Sequence, residues 1–164
     1  FGNYDTYTPM QLNQYVATVA NRGVRVAPHV VKGIYGNTET GELGDVIEEI
    51  KPKTLSVIEN RESEFDIIQD GMYQVVNGGM GTGRALQGAN LSIAAKTGTA
   101  ETFAVDANTG ETVEVINSTI VGYAPYDDPQ IAVSVVLPQL KDEKDAMNTT
   151  ILKQIVNAYS EIQQ

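Results

Sequence analysis

The residue types between positions 96 and 100 can together bind an anionic group. The run consists of Lys96, Thr97, Gly98, Thr99 and Ala100, and it follows the apolar stretch of residues 91–95. An ammonium group and two hydroxyls can hold a carboxylate, and a glycine lets a substrate come close to the backbone. Because the apolar stretch predicts a strand that emerges from a core, we expect the run near the end of that strand. A solvated strand edge has a similar composition, so the neighbouring elements must decide between the two interpretations.

The glycines near this run do not fit a phosphate-binding site. A phosphate-binding loop needs a glycine before its lysine, and Ala95 stands there instead. The glycines at positions 78, 79, 81 and 83 look like a dinucleotide-binding loop, but they follow a helical pattern rather than a strand. We therefore expect no nucleotide and no other cofactor.

The composition excludes several classes of function. The chain has 164 residues, and 21 acidic against 11 basic side chains give it a formal net charge of -10, which argues against nucleic acid and anionic membranes as partners. It has no cysteine and a single histidine, His29, for which we predict a structural role, and we expect no metal site. The sequence has no run of 18 apolar residues and no signal peptide. Because it opens on Phe1, we interpret it as a fragment or a processed chain.

Two helices are predicted before the Lys-Thr-Gly run. Thr8 can cap the first helix, Pro9 suits its first position, Gln11 can complete a capping box, and Gly23 is placed to end it. The second helix is predicted to begin with Ser63 as its cap and to end at residues 77–79, with apolar side chains at helical spacing. A glycine inside it, at position 71, lowers helix propensity and suggests close packing.

The remaining segments predict strands and one more helix. Residues 24–35 resemble a strand, and residues 28–51 predict a hairpin with an exposed tip. After the Lys-Thr-Gly strand come a hairpin-like excursion at 106–115 and two strands at 119–124 and 131–137, and an amphipathic helix ends the chain. We expect the Lys-Thr-Gly strand to lie centrally in an antiparallel sheet, beside the strand at 119–124.

The order of these motifs resembles the C-terminal part of the transpeptidase domain of class B penicillin-binding proteins, and the resemblance covers nearly the whole chain. The resemblance implies an α+β fold of the serine β-lactamase/transpeptidase type, in which helices flank an antiparallel sheet. It also implies that residues 1–164 form the C-terminal part of one such domain. Four stretches carry the likeness: residues 7–24, the Gly-Thr-Gly-Arg-Ala run at 81–85, residues 96–101, and residues 121–125 together with 131–133.

Two catalytic elements of that family have no counterpart among these residues. The family takes its nucleophile and base from Ser-x-x-Lys, and a second motif reads Ser-x-Asn. Ser92 and Lys96 are separated by three residues rather than two, and Tyr35-Gly36-Asn37 imitates a Tyr-x-Asn variant but follows the first helix instead of preceding it. We interpret both as coincidences, so the chain holds one of the three catalytic elements.

The resemblance implies acyl transfer on peptides that end in D-Ala-D-Ala, a reaction that cross-links peptidoglycan. It also implies a location at the extracytoplasmic face of the cell membrane and the binding of β-lactams. It gives Lys96 and Thr99 catalytic roles and places substrate along residues 97–100, with the hydroxyls of Thr97 and Thr99 on the carboxylate. The backbone N–H of Thr99 is then one oxyanion donor. The implied partners are stem peptides, β-lactams and the N-terminal remainder of the same protein. A serine β-lactamase and a non-enzymatic β-lactam sensor remain as alternatives.

Overall fold

A three-stranded antiparallel sheet with helices on both faces carries the Lys-Thr-Gly motif. The computed structural model describes residues 5–141 and 147–163, and no helix among them is long and apolar enough to span a membrane. The helices are α1 (Pro9–Ala20), α2 (Glu62–Asn77) and α3 (Met147–Ile162), with a 3-10 turn at Arg84–Leu86. The strands are β1 (Val24–Val26), β2 (Gly33–Tyr35), β3 (Val46–Glu49), β4 (Thr54–Val57), β5 (Ala94–Val105), β6 (Thr112–Ala124) and β7 (Ile131–Leu140).

The Lys-Thr-Gly strand, β5, pairs with β6 as expected but lies at an edge of the sheet. The strand order in the described residues is β5-β6-β7, with antiparallel pairing throughout, and Lys96 faces Val121. The prediction of a central position was therefore wrong for this part of the chain. The apolar stretch suggested burial between strands, whereas Ala94 and Ala95 are buried by helices that cover the two faces of the sheet.

Two apolar layers hold those helices against the sheet. On one face, α1 and α2 pack on Ala94 and Tyr123 of β5 and β6. On the other face, α3 contributes Leu152 to a cluster that includes Ala95 and Ile120. Successive side chains of a strand point to opposite faces, so neighbouring alanines at the start of β5 serve both layers. Their small size lets helices approach the strand that leads into the Lys-Thr-Gly run.

The start of α1 follows the sequence prediction, whereas α2 departs from it. The amide of Gln11 donates to the Thr8 hydroxyl and the amide of Thr8 donates to the Gln11 side chain, at 3.2 and 2.8 Å. Helix α2 begins at Glu62, so Ser63 is not its cap; Glu64 instead accepts a hydrogen bond from the amide of Arg61. The close packing expected around the glycine at position 71 was also wrong, because a Cβ atom there would meet none of the described residues within 4 Å.

The region between the first two helices forms two small antiparallel pairs. Strands β2 and β3 pair within the hairpin predicted at 28–51. The strand predicted over 24–35 is divided, since residues 27–32 lie outside both β1 and β2. Strand β1 pairs with β4, which the sequence did not predict. The residues of β3 and β4 are all exposed, which explains why no alternation of apolar and polar side chains marks β4.

The far end of the β5–β6 hairpin is tied to the end of β7 by an ion pair. The pKa of Asp106 is lowered to about 2, first because Lys141 Nζ donates to its carboxylate at 2.8 Å and second because the amide of Asn108 donates to it. A lowered pKa means that this stabilisation is present above the ordinary pKa of the carboxyl and is lost as the pH falls towards 2.

We expect Lys141→Met to raise the pKa of Asp106 towards its ordinary value, because the ammonium group that favours the carboxylate form is removed. The titration of the Asp106 carboxyl carbon can be followed by NMR in both proteins. An unchanged pKa in the variant would show that Lys141 does not hold this carboxylate in solution.

Candidate active site

The Lys-Thr-Gly run occupies the outer edge of the sheet, where its groups are open to solvent. Lys96 and Thr99 are exposed, and Thr97 and Gly98 are half-buried. The Lys96 ammonium group donates to the carbonyl oxygen of Thr97 at 2.6 Å, so it lies over the backbone of the same run. Side-chain alternation along β5 places Lys96 and Gly98 on the face covered by α1 and α2, and Thr97 and Thr99 on the opposite face.

The backbone groups of Thr97 and Thr99 point to the open edge of β5. The carbonyl of Gly98 accepts a hydrogen bond at 3.1 Å from the hydroxyl of Thr119, which lies on β6, so the backbone of Gly98 faces β6. The pairing of β5 with β6 continues without a bulge, and backbone groups of successive strand residues point in opposite directions. The N–H groups of Thr97 and Thr99 are therefore directed away from β6, towards the space where a ligand can bind.

Glycine at position 98 makes room for the hydroxyl of Thr119, a contact that the sequence did not reveal. A Cβ atom there would lie 2.6 Å from the Thr119 hydroxyl oxygen, which is far below van der Waals contact. A larger residue would displace Thr119 and break its hydrogen bond to the Gly98 carbonyl. The glycine thus lets the Thr119 hydroxyl lie against the backbone of β5 and leaves that backbone accessible beside the site.

The loop that follows α2 contacts the site through Thr82. The hydroxyl oxygens of Thr82 and Thr97 are 2.7 Å apart, a hydrogen-bond distance. Thr82 lies within the Gly-Thr-Gly-Arg stretch that carries part of the family resemblance, but the sequence assigned it no role. Its contact with Thr97 joins residues that are 15 positions apart in the chain, and no local spacing rule predicts such a contact.

A cleft of about 510 Å³ adjoins these residues. It is lined by Lys96, by Thr82 and by side chains and backbone of the C-terminal half of α2, including Gln74. The glycine at position 71 also lines this cleft, which explains why nothing packs against it. The cleft gives a ligand held by the Lys-Thr-Gly run a neighbouring space beside α2.

The other residues considered from the sequence lie away from this site. His29 is exposed, and its ring nitrogen lies 3.3 Å from the carbonyl of Ala27, only two residues away. Tyr35 belongs to the β2–β3 hairpin and not to the three-stranded sheet that carries the Lys-Thr-Gly run. Within residues 5–141 and 147–163, no cluster of three or more His, Cys, Asp or Glu side chains is arranged to hold a metal ion.

The arrangement presents one ammonium group, several hydroxyls and two outward backbone amides along one strand edge. Such donors bind a carboxylate or a developing oxyanion, because all of them favour negative charge. The serine nearest to Lys96 in sequence, Ser92, donates to Asp127 at 3.3 Å and accepts from the amide of Tyr126 at 3.0 Å. The described residues of the site therefore suit binding and electrostatic stabilisation, and Ser92 is not paired with Lys96.

The chain is similar to known proteins over nearly its whole length. Residues 1–158 match the family model described as the penicillin-binding protein transpeptidase domain. The chain is 46% identical over 162 residues to penicillin-binding protein 2B of Streptococcus pneumoniae, a match that covers 97% of this chain and 23% of the relative. It is 40% identical over 165 residues to penicillin-binding protein H of Bacillus subtilis, with 99% of this chain and 22% of that protein covered.

A solved structure shows the same arrangement of elements. The crystal structure of penicillin-binding protein 2B from Streptococcus pneumoniae strain R6 superimposes with a TM-score of 0.88 at 45% sequence identity, and the match covers 99% of this chain and 26% of that one. The chain spans about a quarter of the length of the relatives that it matches. The family match over nearly all residues and the common α+β fold together show that this chain belongs to the penicillin-binding protein transpeptidase domain family.

Proposed function

We propose that residues 1–164 are the C-terminal part of a D,D-transpeptidase domain and supply the carboxylate-binding and oxyanion-stabilising side of its active site. The observation that carries this proposal is the placement of Lys96, Thr97 and Thr99 on an open strand edge, with the N–H of Thr99 directed outwards. The family membership supports acyl transfer as the chemistry. The substrates are peptidoglycan stem peptides, and β-lactam antibiotics occupy the same site.

In the proposed reaction, a serine from the preceding part of the protein attacks the carbonyl carbon between the two terminal D-alanines. The tetrahedral oxyanion is stabilised by the Thr99 N–H and by the N–H of that serine. The C–N bond breaks and the terminal D-Ala leaves, its nitrogen taking the proton that the serine hydroxyl gave up. An amine of a second stem peptide then attacks the acyl-enzyme, and its proton returns to the released serine oxygen. Lys96 and the hydroxyls of Thr97 and Thr99 hold the substrate carboxylate during acylation, and Gly98 and Ala100 border the bound peptide.

The surface of α1 supports the proposal that preceding residues of the same protein cover this part. Tyr7, Met10 and Tyr15 are each at least 60% exposed, and a groove of about 550 Å³ lies between α1 and Ile58. Exposed apolar side chains around a groove are typical of a surface that another segment covers, so we expect the N-terminal remainder to pack here. The family membership supports the further proposal that the complete protein acts at the extracytoplasmic face of the membrane.

Replacing Lys96 with methionine tests the proposed function. In the complete transpeptidase, we expect Lys96→Met to lower the acylation rate constant for a fluorescent penicillin roughly 10- to 100-fold, because a hydrogen bond from a charged group to the drug carboxylate is lost. Thr112→Val is the matched control, since Thr112 pairs with Val105 at the far end of β5. Equal acylation rates for Lys96→Met and the wild type would refute the proposed role of Lys96.

The same protein preparation separates the alternative functions. A transpeptidase joins two stem peptides and releases D-Ala, whereas a β-lactamase releases hydrolysed penicillin with repeated turnover. A sensor domain is acylated by penicillin but releases no D-Ala from peptides. Release of D-Ala together with formation of the cross-linked peptide, measured by chromatography, is the outcome expected here.

A further inference from the structure

We propose that Thr82 is a positioning residue that orients the hydroxyl of Thr97 towards the substrate carboxylate. The contact that points to this role is the 2.7 Å distance between the two hydroxyl oxygens. The inference rests on the proposed function, in which Thr97 binds that carboxylate. It assigns a role in the reaction to the loop between α2 and β5, which supplies none of the carboxylate-binding groups named above.

The loop that carries Thr82 is held firmly against the end of α2. The amide of Gly83 donates to the carbonyl of Val75 at 2.9 Å, and the amide of Gly81 donates to the carbonyl of Gly78 at 3.1 Å. A Cβ atom at Gly81 would lie only 2.2 Å from the Val75 carbonyl oxygen, so the backbone could not pass so close with any other residue there. The loop therefore presents Thr82 to the strand edge in one defined position.

The residues that follow Thr82 anchor the loop from its other side. Leu86 is almost completely buried in the cluster beneath α3. The side-chain amide of Gln87 donates to the carbonyl of Val76 at 2.8 Å, which ties the 3-10 turn back to α2. Residues on both sides of Thr82 in the chain contact α2, so Thr82 is held in place relative to β5. A residue that orients a neighbouring hydroxyl must be held in this way.

The proton arrangement explains why this contact affects carboxylate binding. Each threonine hydroxyl has one proton to donate and can also accept a hydrogen bond. An ionised carboxylate can only accept, so Thr97 must direct its proton to the ligand and cannot give it to Thr82. Thr82 then donates to the oxygen of Thr97. This two-step chain both fixes the Thr97 hydroxyl and polarises it, which strengthens its hydrogen bond to the carboxylate.

The experiment compares a penicillin with its methyl ester in the complete transpeptidase. Esterification removes the negative charge of the carboxylate to which Thr97 donates, while the β-lactam ring still reacts with the serine. We expect Thr82→Val to lower the second-order acylation rate constant for the free acid roughly tenfold, which corresponds to the loss of one hydrogen bond. The acylation rate constant for the ester should change less than about twofold. Thr82→Ser keeps the hydroxyl and should restore the rate for the acid.

A double-mutant cycle separates positioning from an independent effect. If Thr82 acts through Thr97, the variant with both Thr82→Val and Thr97→Val should be no slower with the free acid than Thr97→Val alone. Thermal unfolding of each variant verifies that the fold is intact, and Thr112→Val again serves as the distant control. An equal loss for acid and ester, or independent losses that multiply in the double variant, would overturn the proposal.

The Thr97→Val variant shows which of the two proposals has failed. If Thr97→Val leaves the ratio of the acid and ester rate constants unchanged, Thr97 does not bind the carboxylate and that part of the proposed function is wrong. If Thr97→Val lowers the ratio but Thr82→Val leaves it unchanged, only the positioning role of Thr82 is refuted. Failure of Thr82→Ser to restore the rate would also refute that role, because the hydroxyl would not be the group responsible.

Discussion

Incubated with a fluorescent penicillin, the chain of residues 1–164 is expected to remain unlabelled, whereas the complete transpeptidase acquires one drug molecule. Acylation needs a nucleophile that a neighbouring base activates, and no Ser-x-x-Lys sequence occurs among these residues. The donors along β5 can orient a carboxylate, but orientation without an activated nucleophile forms no bond. This is the largest effect we expect, since it is a difference between complete labelling and none.

The hydroxyls near the site do not substitute for the missing nucleophile. The Ser92 hydroxyl is engaged with Asp127 and with the amide of Tyr126. The Thr97 hydroxyl is bonded to another neutral hydroxyl, that of Thr82, which is not a base at neutral pH. The Lys96 ammonium group donates to a backbone carbonyl rather than accepting a proton from a hydroxyl.

Mass spectrometry of the intact chain after exposure to penicillin gives the result directly. The complete transpeptidase, treated in parallel, is the positive control. A stable increase by the mass of the drug on the isolated chain would contradict the prediction, and peptide mapping would then identify the residue that reacted. Heat-denatured chain, treated in the same way, excludes nonspecific acylation of surface amines.

Local sequence rules predicted the elements whose ends are determined by their own residues. The start of α1 was predicted because Thr8 and Gln11 form hydrogen bonds within one turn, and these bonds depend only on local spacing. The hairpin at 28–51, the antiparallel pairing of β5 with β6, and α3 were confirmed on the same basis. The strand predicted at 119–124 was too short, because β6 begins at Thr112, inside the excursion predicted at 106–115.

Features that depend on distant contacts could not be predicted in this way. The edge position of β5 depends on which strands and helices surround it, and the apolar residues before Lys96 indicate burial without indicating what buries them. The Thr82–Thr97 contact depends on the path of the loop after α2. The Lys-Thr-Gly run, which we propose binds a carboxylate, was visible in the sequence because its residues are adjacent, but the loop contact that supports it was not.

In the complete transpeptidase, Thr99→Pro is expected to slow acylation by penicillin roughly 100- to 1,000-fold, the usual cost of removing one oxyanion donor. Proline has no backbone N–H, and the N–H of Thr99, which points to the open edge of β5, is the one that we propose binds the oxyanion. Thr99→Ala keeps that N–H and removes only a hydroxyl, so we expect a loss of roughly tenfold, as for one hydrogen bond. The two variants thus separate the backbone donor from the carboxylate contact at one position.

The direction of the Thr99 N–H also makes this test interpretable. Because the N–H points away from β6, proline at position 99 breaks no hydrogen bond of the sheet, and prolines are tolerated on edge strands for this reason. Phe103→Pro is the matched control, since Phe103 lies four residues further along β5 with its N–H directed to the same edge. Phe103→Pro should unfold at a temperature similar to that of Thr99→Pro and yet be acylated at nearly the wild-type rate. If both proline variants lose acylation equally, distortion of the strand rather than loss of the oxyanion donor accounts for the effect, and Thr99 has no such role.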